Sequence, residues 1–113
     1  MTTIDTSATL VTMINVFTVE PRNAEALSAL LAEATEQVMR HRDGFVSANI
    51  HRSTDGTRVI NYGQWASAEA LEQMRADPAA REHMGRCADL AVSFDPHLYT
   101  VDSIHHAAPT PHR

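Results

Sequence analysis

Lysine is absent from the 113 residues, and all nine formally positive side chains are arginines. They are scattered, and the net charge is -5 at pH 7. With no basic cluster, nucleic-acid phosphate is excluded as the main partner. Cysteine occurs once, at Cys87, so neither an intramolecular disulfide nor a paired-cysteine metal site can form, and the chain fits a reducing cytoplasm. No apolar run approaches the roughly 20 residues of a membrane span. The Thr-rich N-terminal stretch lacks a basic segment and a long apolar segment, so no signal peptide is expected. A GxGxxG loop, a phosphate-binding P-loop and a GxSxG elbow are all missing. The seven histidines are dispersed. Only His105 and His106 are adjacent, and neighbours on a strand point to opposite faces. No metal site is expected.

What remains is an ordinary globular composition, 43% hydrophobic and 20% charged, of a length that fits one domain. Residues 1–9 read as a flexible leader, 10–106 as the domain, and 107–113, with two prolines, as an irregular tail. Leu10 to Val19 is rich in β-branched and apolar residues and predicts a strand. Glu20-Pro21 ends it. Asn23 is a candidate helix N-cap, and Ala24, Leu27, Leu30, Leu31, Ala34 and Val38 recur at helical spacing to about His41. Asp43-Gly44 stops that helix. Phe45–Arg52 and Arg58–Trp65 read as strands joined by a turn at Asp55-Gly56. Ser67 caps a short helix. Asp77-Pro78 starts another, running to about Ala91. Asp95-Pro96 reads as a breaker, and Leu98 to His106 as the last strand.

The order β-α-β-β-α-β, with the second helix broken, predicts an α+β, ferredoxin-like α/β sandwich. Helices on one side of an antiparallel sheet leave the other side uncovered. That side would carry Ile14, Val16, Ile60, Tyr62, Tyr99 and Val101, more apolar surface than a monomer normally exposes. A homodimer packed sheet against sheet, or closed as a barrel, is therefore expected.

Polar residues on apolar faces are the candidates for chemistry. Asn15 lies between Met13 and Phe17 on one strand face. Val59, Asn61, Gly63 and Trp65 share a face of the third strand. Buried amides and an indole N–H need partners. Placed in a mostly apolar space that Gly63 keeps open, they have the anatomy of a small-molecule site. On the last helix, His83, Met84, Cys87, Leu90 and Ala91 form an apolar stripe that would turn His83 toward the same interior. Arg86 flanks it, and Arg81 lies further away. Each residue also has a structural alternative: satisfied strand amides, a core tryptophan, a helix histidine, a solvated arginine and a small core cysteine.

The stretch GFVSANIHRSTDGTRVINYGQWASAEAL, with MINVFTVEP before it and DPHLYTVDSIH after it, resembles the antibiotic biosynthesis monooxygenase family. The similarity is greatest to small cofactor-independent oxygenases of aromatic polyketide pathways. It implies oxidation of a reduced polycyclic aromatic or phenolic, anthrone-like substrate by O₂ to a quinone, with no metal and no flavin. Asn61 and Trp65 match that group's Asn-x-x-x-Trp pattern, and Asn15 matches the strand-one Asn of related members. These three are the expected catalytic residues, and Phe17, Met74, His83, Met84 and Arg86 the expected substrate contacts. The last-helix Arg of those oxygenases aligns with Met84 here, and a Tyr of their short helix is replaced by Leu71. Haem-degrading monooxygenases share the fold, and their strand-one Asn and haem-ligating His correspond to Asn15 and His83. Against them, the Trp of their short helix falls at Met74. A haem-binding protein and a non-catalytic dimeric ligand-binding protein are thus the alternatives.

Overall fold

The computed structural model describes residues 2–5 and 9–109. The chain runs β1 (Val11–Thr18), α1 (Pro21–Gln37), a 3₁₀ turn (Met39–His41), β2 (Phe45–Arg52), β3 (Arg58–Trp65), α2 (Ala68–Ala76), α3 (Pro78–Leu90) and β4 (Ser93–Tyr99). The strands form one antiparallel sheet in the order β2-β3-β1-β4. This is the ferredoxin-like α+β arrangement that the element order predicts.

Local chemistry sets most boundaries. Pro21 occupies the first turn of α1, where its missing N–H costs nothing. The helix therefore begins after Glu20 rather than at Asn23, and it tightens into the 3₁₀ turn instead of running regularly to His41. Ser67 accepts from the Ala70 N–H at 3.1 Å and caps α2. Asp77 Oδ2 accepts from the Ala80 N–H at 3.0 Å and caps α3, as the Ser and Asp positions predict. In the β2–β3 turn, Asp55 Oδ1 accepts from Ser53 Oγ, Thr57 N and Thr57 Oγ1. The Thr57 bonds, aided by Ser53, pull its carboxyl pKa down to about 2.

The last strand departs most from the sequence reading. It is Ser93–Tyr99, not Leu98 to His106, and residues 100–109 have no regular structure. Asp95-Pro96 lies inside the strand, with Pro96 opposite Asn15. An edge strand tolerates a proline that a central strand would reject. Of the leader and tail, residues 1, 6–8 and 110–113 lie outside the described residues. Within the leader, the Thr3 carbonyl accepts from Gln64 Nε2 at 2.7 Å and Thr2 Oγ1 from Asn49 Nδ2.

The helices cover the sheet face that carries odd-numbered β1 and β3 residues. Two buried clusters form there. One gathers Phe17, Val19, Ala24, Leu27, Leu31, Val59 and Cys87. The other gathers Met13, Trp65, Leu71, Met74 and Ala80. Burying a leucine such as Leu27 or Leu71 completely contributes about 1.5–3 kcal/mol. On the opposite face, Ile14, Val16, Ile60 and Tyr62 are only half-buried, and β4 is exposed along its whole length.

Candidate functional site

Strand register brings the candidate polar groups together. β1 and β3 pair Asn15 with Asn61, Met13 with Gly63 and Val11 with Trp65. Because side chains alternate, these odd-numbered positions all project toward the helices. There they meet a cavity of about 720 Å³ lined mainly by apolar groups, a size and character suited to a small organic ligand. Asn15, Phe17, Asn61, Trp65, Met74 and Met84 all line it.

Each polar group is held differently. Asn15 Oδ1 accepts from the Asp95 N–H at 3.1 Å, which fixes the amide against the edge strand. Asn61 Oδ1 is buried with no hydrogen-bond partner among the described residues. Leaving such an acceptor unpaired costs about 1–3 kcal/mol, so the site is poised to receive a donor. Trp65 is buried and stands edge-on to Phe45, with ring centroids 5.4 Å apart and planes at 86°. A Cβ on Gly63 would lie 3.6 Å from Trp65 Nε1. The glycine thus leaves the indole N–H open to the cavity.

Helix α3 buries His83 and Cys87 of the stripe that the sequence predicts, but His83 does not face the cavity. Ala80, His83 and Cys87 form its buried face, and α3 packs chiefly on α1. Arg81, Met84, Gly85 and Ala88, about 100° round the helix, face the cavity. His83 and Arg86 do not line it. Arg86 Nη2 donates to His83 Nδ1 at 2.9 Å instead. The arginines at the cavity are Arg75 and Arg81, which the sequence reading missed. One signal marks the Arg81 face: the small residues Gly85 and Ala88 follow it at i+4 and i+7, and a helix face lined by small side chains leaves room beside it. Cys87 touches the cavity too, but burial, partly opposed by Arg86, pushes its thiol pKa up to about 11. It is a neutral thiol near pH 7 and a poor nucleophile.

Among the described residues, no acidic residue or histidine lines the cavity. No group of three metal-ligating side chains occurs among the described residues. No helix is long and apolar enough to cross a membrane among them either. The site therefore offers fixed amide and indole hydrogen-bonding groups, two guanidinium cations and an apolar enclosure.

Residues 10–86 match the model of the antibiotic biosynthesis monooxygenase family. The chain is 42% identical over 91 residues to tetracenomycin-F1 monooxygenase of Streptomyces glaucescens, covering 80% of this chain and 81% of that protein. It is similar to the monooxygenase ActVA-Orf6 of Streptomyces coelicolor, solved with nanaomycin D. There the TM-score is 0.77 at 28% identity, covering 87% of this chain and 92% of that one. SnoaB, a cofactor-independent oxygenase of Streptomyces nogalater, shares the fold with a TM-score of 0.69 at 24% identity, covering 86% and 97% of the two chains.

Proposed function

The chain belongs to the antibiotic biosynthesis monooxygenase family, and on that footing we propose that it oxidises a reduced polycyclic aromatic or phenolic substrate with O₂ to a quinone, using neither metal nor flavin. Its place among the monooxygenases follows from the membership. The observation that carries the substrate class is the convergence of Asn15, Asn61 and Trp65 on one apolar cavity, with the Asn61 acceptor unpaired. An aromatic ring system fits the apolar walls, and a phenolic O–H satisfies Asn61 Oδ1.

The reaction converts a ring methylene and O₂ into a carbonyl and water. The methylene carbon first loses a proton, leaving a carbanion delocalised onto the neighbouring carbonyl oxygen. Trp65 Nε1–H and an amide N–H hold that oxygen and lower the cost of its charge. Among the described residues, no carboxylate or imidazole lines the cavity to take the proton. It passes to water, and the acidity of the substrate supplies much of the driving force. The carbanion transfers electrons to O₂, the two combine as a peroxide anion, and this takes a proton back from water to become the hydroperoxide. Loss of the remaining hydrogen as the O–O bond breaks releases water and leaves the quinone. Exclusion of bulk water by the apolar walls strengthens the donors throughout.

Oxygen uptake with an anthrone, without added flavin or metal, tests this reading. The parent protein should consume O₂ well above background. Asn61→Ala and Trp65→Phe should each lower kcat by about 10²-fold, the usual effect of removing one such donor. Uptake that stays at background, or that both substitutions leave unchanged, would refute the assignment.

Haem binding through His83 does not fit the arrangement. His83 lies outside the cavity lining, and its Nδ1 already accepts from Arg86.

A further inference from the structure

We propose that Met84 is the residue oxidised by the protein's own reaction: a hydroperoxide that does not collapse to the quinone transfers its outer oxygen to Met84 Sδ. The inference rests on the proposed oxidation by O₂, which supplies the peroxide, and adds a modification site on the protein itself.

The distribution of sulfur is the first argument. The chain has five methionines. Every one after the first residue, Met13, Met39, Met74 and Met84, lines the cavity. They come from β1, the 3₁₀ turn, α2 and α3, so four separate elements each bring a thioether side chain to the place where O₂ reacts. A thioether reduces a peroxide without first ionising. Cys87, which also touches the cavity, is held as a neutral thiol near pH 7 by its burial, and the thiolate is the reactive form of cysteine.

Access ranks the four methionines. Met13 and Met74 are buried and Met39 is half-buried, whereas Met84 is exposed. The Met13 sulfur is further occupied by Arg75 Nη2, which donates to it at 3.9 Å and engages a lone pair that would attack the oxidant. Beside Met84, a Cβ on Gly85 would meet nothing within 4 Å, so the approach is open. A peroxide therefore meets the Met84 sulfur first. A sulfoxide there stays within reach of a methionine sulfoxide reductase, whereas one at Met13 or Met74 would place a polar group in the core. The step balances without a further reagent. Sulfur attacks the outer oxygen of R–O–O–H and the O–O bond breaks. That oxygen stays on sulfur as the sulfoxide, and its proton passes to the alkoxide oxygen left on the substrate, giving R–O–H. Sulfur loses an electron pair and the peroxide gains it.

The test runs the anthrone reaction under isotope-labelled O₂, with catalase present to remove free hydrogen peroxide, and locates the label by peptide mass spectrometry. Label should accumulate on Met84 in proportion to turnover and stay off it when anthrone is left out. It should exceed the label on Met74 about tenfold, following exposures of 37% and 4%. A methionine sulfoxide reductase with dithiothreitol should remove it from the native protein. In Met84→Leu, the total label per turnover should fall severalfold. Oxygen uptake that leaves Met84 unlabelled overturns the inference and leaves the oxidation standing. So does label spread evenly over the four methionines, or a label per turnover that Met84→Leu does not change. Absence of oxygen uptake overturns the proposed oxidation and this inference with it.

Discussion

At the scale of single residues, the polar groups of the site divide into those whose direction a strand dictates and those whose direction depends on how a helix is rolled. Asn15, Asn61 and Trp65 were legible in the sequence because strand alternation allows only two faces, and their apolar neighbours mark which one is inside. Arg75 and Arg81 were not. Helix periodicity shows that α3 has a buried stripe, but it does not show whether the stripe meets another helix or an open space. His83 is on the stripe that meets α1, and Arg81 is beside it. His83→Gln, which preserves an acceptor for Arg86, should therefore leave oxygen uptake within about twofold of the parent. A loss approaching that of Asn61→Ala would return His83 to the chemistry. Cys87 gives a pH prediction. Its thiol pKa is raised from 9.0 to about 11 in the fold, so the native state favours the thiol. This contribution to stability is complete below pH 9 and disappears as pH rises through 11. Alkylation by iodoacetamide at pH 8 should be much slower in the native protein than in urea. Equal rates would show that Cys87 is not shielded.

Elements were legible where a residue has one dominant local role. The Ser67 and Asp77 caps and the Asp55-Gly56 turn stand where the sequence puts them, because a short polar side chain satisfies nearby N–H groups directly. The last strand was misplaced for a different reason: the standing of a proline depends on whether its strand is central or at an edge, which only the assembled sheet decides. Asp77 does more than cap α3, since its Oδ1 also meets Arg42 Nη1 at 3.2 Å. Asp77→Ala should cost about 1–2 kcal/mol, mostly through the cap, and chemical denaturation should show a lower midpoint with little change in slope. Two glycines should respond in opposite directions. Gly44 has φ +82°, and a Cβ there would come within 2.4 Å of the Ala70 Cβ. Gly44→Ala should destabilise by about 1–3 kcal/mol. Gly85 is helical with nothing within 4 Å of a Cβ. Gly85→Ala should stabilise by about 0.5–1 kcal/mol while its methyl narrows the cavity.

At the scale of the whole molecule, we propose the sheet's outer face as the interface of the expected homodimer. Ile14, Val16, Ile60 and Tyr62 stay half-buried there in a single chain. Tyr99 on that face and Phe94 and Leu98 on the other side of the same edge strand are 46–53% exposed. Light scattering at micromolar concentration should give the mass of a dimer, twice the 12.4 kDa chain, and a monomer mass would contradict this reading. The break between α2 and α3 has a consequence for the site as a whole. On one uninterrupted helix, residues six apart point about 120° away from each other, and Arg75 and Arg81 would not share a target. Ending one helix at Ala76 and restarting at Pro78 resets the angular phase, and both arginines line the cavity. The charged part of the cavity lining thus depends on a one-residue joint, while its two amides and its indole belong to the sheet. Lengthening or shortening that joint would re-aim the charged lining and leave the strands as they are.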